Sequence, residues 1–202
     1  MKKIIYRTLC FCLALLSLTG CSLDLQKDYE YESSVDDPHI NMTAWEFFLS
    51  RQDLFSELTK AIEYTELKDH YTQTDNKYTF LALNNTAMQA YREGTFPGKA
   101  SITDCDKETV KNMLLYHIVD GEYSSYGQLK VEAMFVLTLL PGEKGLMTMT
   151  VWKNPWQAAV GKILVNETGS NGKSPQRTAK TSNIMPTNGV IHIFDKHCYY
   201  QK

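Results

Sequence analysis

The chain has no run of basic residues, no internal repeat and no Gly-x-Ser-x-Gly elbow, and each absence removes a class of function. Neutralising nucleic-acid phosphates takes clustered Lys and Arg, whereas here 21 cationic side chains face 23 carboxylates for a formal charge of −2. Without the serine elbow a serine hydrolase of the common kind is excluded. Gly169-Ser-Asn-Gly-Lys-Ser174 looks like a phosphate loop, but Glu167 stands where the pattern needs a glycine, and no helix is expected after it. The five histidines, His39, His70, His117, His192 and His197, lack the short spacing of metal sites. Asp104 and Asp106 read as helix-start carboxylates, favoured by the helix dipole, and not as a catalytic pair. The expectation is a non-enzymatic protein with no catalytic residues, no metal and no cofactor.

Cysteine is as scarce, and its placement is specific. Lys2, Lys3 and Arg7 precede an apolar run, short of the roughly 20 residues that span a membrane, which ends in Leu18-Thr19-Gly20-Cys21. A charged start, a short apolar middle and small residues before a cysteine form a bacterial lipoprotein signal, with the Cys21 thiol as acceptor of acyl chains such as palmitate. Residues 1–20 are then expected to be removed, taking three cationic side chains and moving the formal charge from −2 to −5. Cys10 and Cys12 leave with that segment, so Cys105 and Cys198 are the remaining thiols. In an exported chain they either pair or stay as two buried thiols.

Residues 21–40 read as a tether. Asp24, Asp28, Glu30, Glu32, Asp36 and Asp37 stand against Lys27, and like charges extend such a segment. Acidic residues soon after the lipidated cysteine resemble the surface-export signal of lipoproteins in some outer-membrane bacteria; a solvated linker is the plainer reading. The localisation expected is the outer membrane, with the domain at the cell surface or on the periplasmic face.

The folded domain is assigned to residues 41–202. Thr43-Ala-Trp-Glu46 is a capping box. Leu54, Phe55, Leu58, Ala61 and Ile62 form one apolar stripe of a second helix, with Asp53 or a neighbour as its cap. Residues 78–83 read as a strand, with Asn84 or Asn85 capping a short helix through Ala90. Asp104 or Asp106 opens a helix in which Val110, Met113, Leu114 and His117 share a face. Residues 131–140 and 146–152 form a hairpin around the five-residue loop Pro141-Gly-Glu-Lys-Gly145, and Met147, Met149 and Val151 alternate with Thr148, Thr150 and Trp152 as in a strand with one buried face. Residues 163–166 are another strand. At the end, TSNIMPTNGVIHIFD (residues 181–195) reads as two strands joined through Asn188-Gly189, a dipeptide that reaches positive φ at low cost. The second of these is apolar on both faces and therefore central. Early helices and late strands give an α+β domain.

Three ordered segments carry a family resemblance. Residues 181–195 resemble the C-terminal signature of fasciclin domains, YTFLALNNTAM (residues 78–88) resembles their first signature, and LLYHIVDGEY (residues 114–123) resembles their tyrosine-histidine motif. The resemblance implies a wedge-shaped β-sandwich with helices packed alongside. It also implies a role in adhesion or in ligand and partner binding at the envelope, with a structural accessory subunit of an outer-membrane glycan or nutrient uptake complex as the alternative. The expected partners are the membrane, through the lipid anchor, and an envelope protein or glycan.

Two candidate binding constellations follow. Tyr116 and His117 match the motif linked to receptor contact in animal members, although the apolar company of His117 suits a buried, hydrogen-bonded histidine better. Trp152-Lys-Asn-Pro-Trp156 departs from the family signatures. Exposed, Trp152 and Trp156 would stack on sugar rings or anchor a partner; buried, they would complete the core.

Overall fold

The computed structural model describes residues 37–152, 161–167 and 174–199. The signal, Cys21, the tether up to residue 36, Trp156 and the loop at residues 168–173 lie outside the described residues. The chain is engaged from Pro38 onward, slightly before the boundary read from the sequence. Met185 N–H donates to the Pro38 carbonyl (2.8 Å) and Ile40 N–H to the Met185 carbonyl (2.9 Å).

Helix α1 (Ala44–Ser50) starts at the capping box: Thr43 Oγ1 accepts from Glu46 N–H (3.3 Å) and Glu46 Oε2 accepts from Thr43 N–H (2.7 Å). Helix α2 (Gln52–Tyr64) buries Phe55, Leu58, Ala61 and Ile62. Of the cap candidates the N-cap is the neighbour Arg51, which makes no side-chain bond to the helix end, and the Asp53 carboxylate pairs with Arg51 at 3.0 Å. Helix α3 (Lys68–Thr72) leads into strand β1 (Tyr78–Leu83), buried along its whole length. The two asparagines that follow divide their work. Asn84 caps helix α4 (Asn85–Thr95) by accepting from Ala87 N–H at 2.9 Å, and the helix runs past Ala90 to Thr95. The Asn85 carboxamide ties α4 to α2 through Glu57 N–H (2.9 Å) and the Asp53 carbonyl (3.1 Å). Helix α5 (Lys107–Tyr116) is capped by Asp106, whereas Asp104 closes a box with Ser101 one turn earlier.

Among the described residues, eight strands form two four-stranded sheets. The first has the order β2-β1-β8-β7, from β2 (Ile118–Asp120), β7 (Thr181–Ile184) and β8 (Gly189–Phe194) around β1. The second has the order β3-β4-β5-β6, from β3 (Met134–Leu137), β4 (Leu146–Trp152), β5 (Lys162–Val165) and β6 (Arg177–Thr178). One core draws on both sheets and on helices α1, α2, α4 and α5, an α+β arrangement.

Strands β1 and β8 lie parallel at the centre of the first sheet, in register from Tyr78↔Gly189 to Leu83↔Phe194. Gly189 has φ 148°, and a Cβ there would lie 1.8 Å from the Tyr78 carbonyl oxygen. The glycine is therefore demanded by the neighbouring strand as well as by its turn. Asn188 takes no positive φ. Its completely buried carboxamide accepts from Ala44 N–H (2.9 Å) and donates to the Tyr71 carbonyl (2.9 Å), so a residue read as local turn chemistry is a tertiary tie between α1, α3 and β8.

The β3/β4 hairpin is present, with a first arm shorter than expected. Residues 130 and 131 form a strap instead, whose carbonyls accept from Thr150 Oγ1 at 3.0 and 2.7 Å. This strap helps to explain a second departure. Strand β4 was expected to have one buried face, yet Thr148 and Thr150 are as inaccessible as Met147 and Met149. Among the described residues, no helix is long and apolar enough to cross a membrane.

Candidate functional site

The tyrosine-histidine pair closes helix α5 and faces inward. Tyr116 is completely buried and His117 is 3% exposed, so neither offers a contact surface. Tyr116 Oη donates to Asn166 Oδ1 (3.1 Å). His117 Nε2 accepts from Cys198 N–H (3.1 Å), which places the ring proton on Nδ1, 2.7 Å from the Met113 carbonyl it serves. Asn166 Nδ2 donates to the Cys198 carbonyl (3.0 Å), and the Tyr199 ring lies 4.8 Å from that of Tyr116. These groups form a buried lock on the C-terminal segment. Burial removes the water that would solvate an imidazolium and holds His117 down to about 3, so it stays neutral.

His192 is the second such lock, and its role was not legible from the scattered histidines. Its Nδ1 accepts from Asn183 N–H (3.2 Å) and its Nε2–H donates to the Tyr123 carbonyl (2.8 Å), the opposite tautomer from His117. Burial lowers it to about 4. Asn183 sits at φ 63° in the irregular β7–β8 pairing and returns its side chain to Ser125 N–H (3.0 Å). The central strand, its edge neighbour and the loop after β2 are thereby stitched together.

Cys105 and Cys198 are free and buried, so the bridge left open by the sequence is not formed in this structure. Burial pushes the Cys198 thiol up to about 12 and also raises that of Cys105, whose Sγ–H donates to the Ser101 carbonyl (3.4 Å). Neither is a thiolate nucleophile at neutral pH.

The accessible candidate lies on the second sheet. Strand register places Phe135 and Leu137 of β3, Leu146, Thr148, Thr150 and Trp152 of β4, and Lys162 and Leu164 of β5 on one face, while Val136, Met147, Met149, Val151 and Ile163 point into the core. Phe135 and Leu137 are each 63% exposed and Trp152 is 49% exposed. Trp152 thus stands in solvent, whereas Trp45, which the sequence did not single out, is buried under helix α1. Beside Trp152 an open groove of about 590 Å³ is lined by Lys162, Leu164, Glu167, Gln176, Thr178 and Lys180. An indole face next to amide, hydroxyl and charged groups suits stacking combined with a few directed hydrogen bonds.

Comparison with known proteins is consistent with this architecture. The model of the fasciclin domain matches residues 53–198. Human periostin is 28% identical over 152 residues, which is 75% of this chain and 15% of periostin. A solved FAS1 domain pair from the insect cell adhesion molecule fasciclin I superposes with a TM-score of 0.57 at 15% identity, covering 79% of this chain and 51% of that one. The chain therefore spans a minor part of periostin and about half of the fasciclin I pair.

Proposed function

Because this chain belongs to the fasciclin-domain family, we propose that it is a lipid-anchored protein of a bacterial outer membrane in which Phe135, Leu137 and Trp152, exposed on the β3-β4-β5-β6 sheet, make non-enzymatic adhesive or partner contacts at the envelope. The observation that carries the choice of surface is the exposure of Phe135, Leu137 and Trp152 on one sheet face. Large apolar side chains clustered on a surface mark interaction sites more often than singly scattered ones do. The tyrosine-histidine pair is assigned to folding, since both rings are enclosed and hydrogen-bonded. Fasciclin I, described as an insect cell adhesion molecule, supports the adhesive reading.

Anchoring rests on Leu18-Thr19-Gly20-Cys21. Several acyl chains on Cys21 exceed what stable attachment needs, since each buried methylene contributes about 0.8 kcal/mol. Detergent partition tests it. The wild-type protein should enter the detergent phase, and Cys21→Ala should leave the protein aqueous or with its signal uncleaved; a Cys21→Ala protein of mature mass in the detergent phase contradicts the anchor. The binding surface is tested separately, by retention on isolated envelopes of the unacylated protein, residues 22–202, before and after Trp152→Ala. Undiminished retention of a Trp152→Ala protein that melts normally removes Trp152 from the site.

A further inference from the structure

The open groove beside Trp152 runs across β4, β5 and β6, and its lining follows from strand register. Trp152 pairs with Lys162 and Leu164 with Thr178, so these side chains share the outer side of the sheet, with Gln176 two residues before Thr178. Leu164 and Ala179 are buried and form the floor. A continued strand would turn residue 167 toward the core with Val165, but Asn166 sits at φ 59° and redirects the chain. Glu167 lines the groove instead.

The walls are tied to the core. Asn166 accepts from Tyr116 Oη (3.1 Å) and donates to the Cys198 carbonyl (3.0 Å), so the buried lock at the end of α5 also fixes the chain direction at Glu167. Arg177 Nε donates to the His197 carbonyl (3.0 Å), which holds β6 against the C-terminal segment. A groove fixed in this way loses little freedom when it takes a ligand. Its charges are balanced among the described residues: Lys180 Nζ meets Asp195 Oδ2 at 3.1 Å, and Lys162 is matched by Glu167. Donors and acceptors are both present, from the Lys162 ammonium and the Gln176 carboxamide to the Glu167 carboxylate and the Thr178 hydroxyl.

We infer that this groove binds a neutral saccharide, with one pyranose ring stacked on the Trp152 indole and neighbouring hydroxyls bonded to Lys162, Glu167 and Gln176. This deepens the proposed function by naming a ligand class for Trp152, and it rests on that reading for Trp152 as a contact residue. The chemistry of the lining selects the class. A pyranose offers an apolar C–H face to an aromatic ring while each of its hydroxyls both donates and accepts, which matches a half-exposed indole bordered by both kinds of group. A lining without net charge gives no preference for a phosphate or a carboxylate. A lipid tail would need more apolar wall than Leu164 and Ala179 supply. The volume of about 590 Å³ lies within the range of small-ligand sites, roughly 300–1,000 Å³.

The test uses residues 22–202, which keep every core position from Ala44 to Tyr199 but have no acyl acceptor. Calorimetric titration with maltohexaose, cellohexaose and xylohexaose, and with hexagalacturonate as the charged control, reads the affinity. At least one neutral oligosaccharide should bind saturably, and high salt should leave that binding unchanged. Trp152→Ala should weaken it about tenfold or more at a melting temperature near that of the wild type, whereas Trp152→Phe keeps an aromatic face and most of the affinity. Gln176→Ala, at an exposed position on the β6 side of the groove, is the second variant and should weaken binding severalfold. Absence of binding to every neutral oligosaccharide, binding confined to hexagalacturonate, or binding that neither alanine variant reduces overturns the inference. Failure of the contact reading is told apart by retention on isolated envelopes. If Trp152→Ala lowers retention while no oligosaccharide binds, the saccharide is wrong and the contact stands; oligosaccharide binding by a protein that envelopes do not retain overturns the contact at the envelope alone.

Discussion

The two sheets are built from similar residues and put them to opposite use. In the first, Phe80 and Phe194 are completely buried in paired central strands; in the second, Phe135 is 63% exposed on an edge strand. Polar side chains divide in the same way. Asn188 and His192 are fully enclosed in the first sheet and bond backbone groups of α1, α3, β7 and the loop after β2, while Lys162 and Thr178 of the second sheet stand exposed beside an open groove. Layering accounts for the difference. Strands β1 and β8 are buried along their whole length, so every polar group there must find a protein partner, whereas β3 at its edge leaves one side to water.

The comparison breaks most sharply at Gly189. Gly189→Val places a branched side chain where a Cβ would already lie 1.8 Å from the Tyr78 carbonyl, in a backbone conformation that a branched residue resists. The central parallel pair should fail to form, with no cooperative melting near the wild-type temperature. A wild-type melting temperature in Gly189→Val would refute the β1–β8 register.

Acid should attack the first sheet and the C-terminal lock through their histidines. The folded values, about 3 for His117 and about 4 for His192, lie below the ordinary 6.5. Between those limits the unfolded chain binds more protons, so stability is complete above pH 6.5 and falls as pH drops toward 4. Each histidine should cost about 2–3 kcal/mol by pH 4.5, read as the shift of a urea midpoint with pH. A midpoint constant from pH 7 to 4.5 would mean that these rings are not held neutral.

Asn188→Ala ranks next. It leaves Ala44 N–H and the Tyr71 carbonyl without their buried partner, a loss of about 2–4 kcal/mol. Asn188→Asp should recover only the bond to Ala44 N–H, because a carboxylate cannot donate to a carbonyl. Chemical denaturation separates the two. Were Asn188 only a turn residue, both variants would lie within about 1 kcal/mol of the wild type.

The smallest effect sharpens the contrast from the other side. Phe135→Ala should change stability by no more than about 0.5 kcal/mol, as expected for an exposed position, whereas Phe80→Ala should cost about 3–5 kcal/mol. If thermal melting shows comparable losses for the two, the outer face of the second sheet is covered and does not serve as a surface.

Much of the fold was legible because its signals are local. The Thr43 and Glu46 box, the Asn84 cap and the Asp106 cap each join residues within one turn, and their chemistry reads directly from spacing. The apolar character of residues 78–83 and 189–194 marked both as central strands. Less was legible at the candidate site. Alternation in β4 suggested one wet face, but the strap at residues 130 and 131 covers Thr150, and a covering segment leaves no periodic trace. Tyr116 and His117 carried a family motif that was compatible with contact or with burial; only their partners, Asn166 and Cys198, decide for burial.

The sequence by itself determined the α+β class, the family and the position of most elements, since capping, periodicity and turn chemistry act over a few residues. Tertiary structure alone decided that β1 and β8 run side by side, that Asn188 and His192 are internal ties and that Trp152 meets solvent. The physical reason is that pairing and burial depend on what a distant segment places next to a residue, and Tyr78 meets Gly189 only once the intervening chain has folded back.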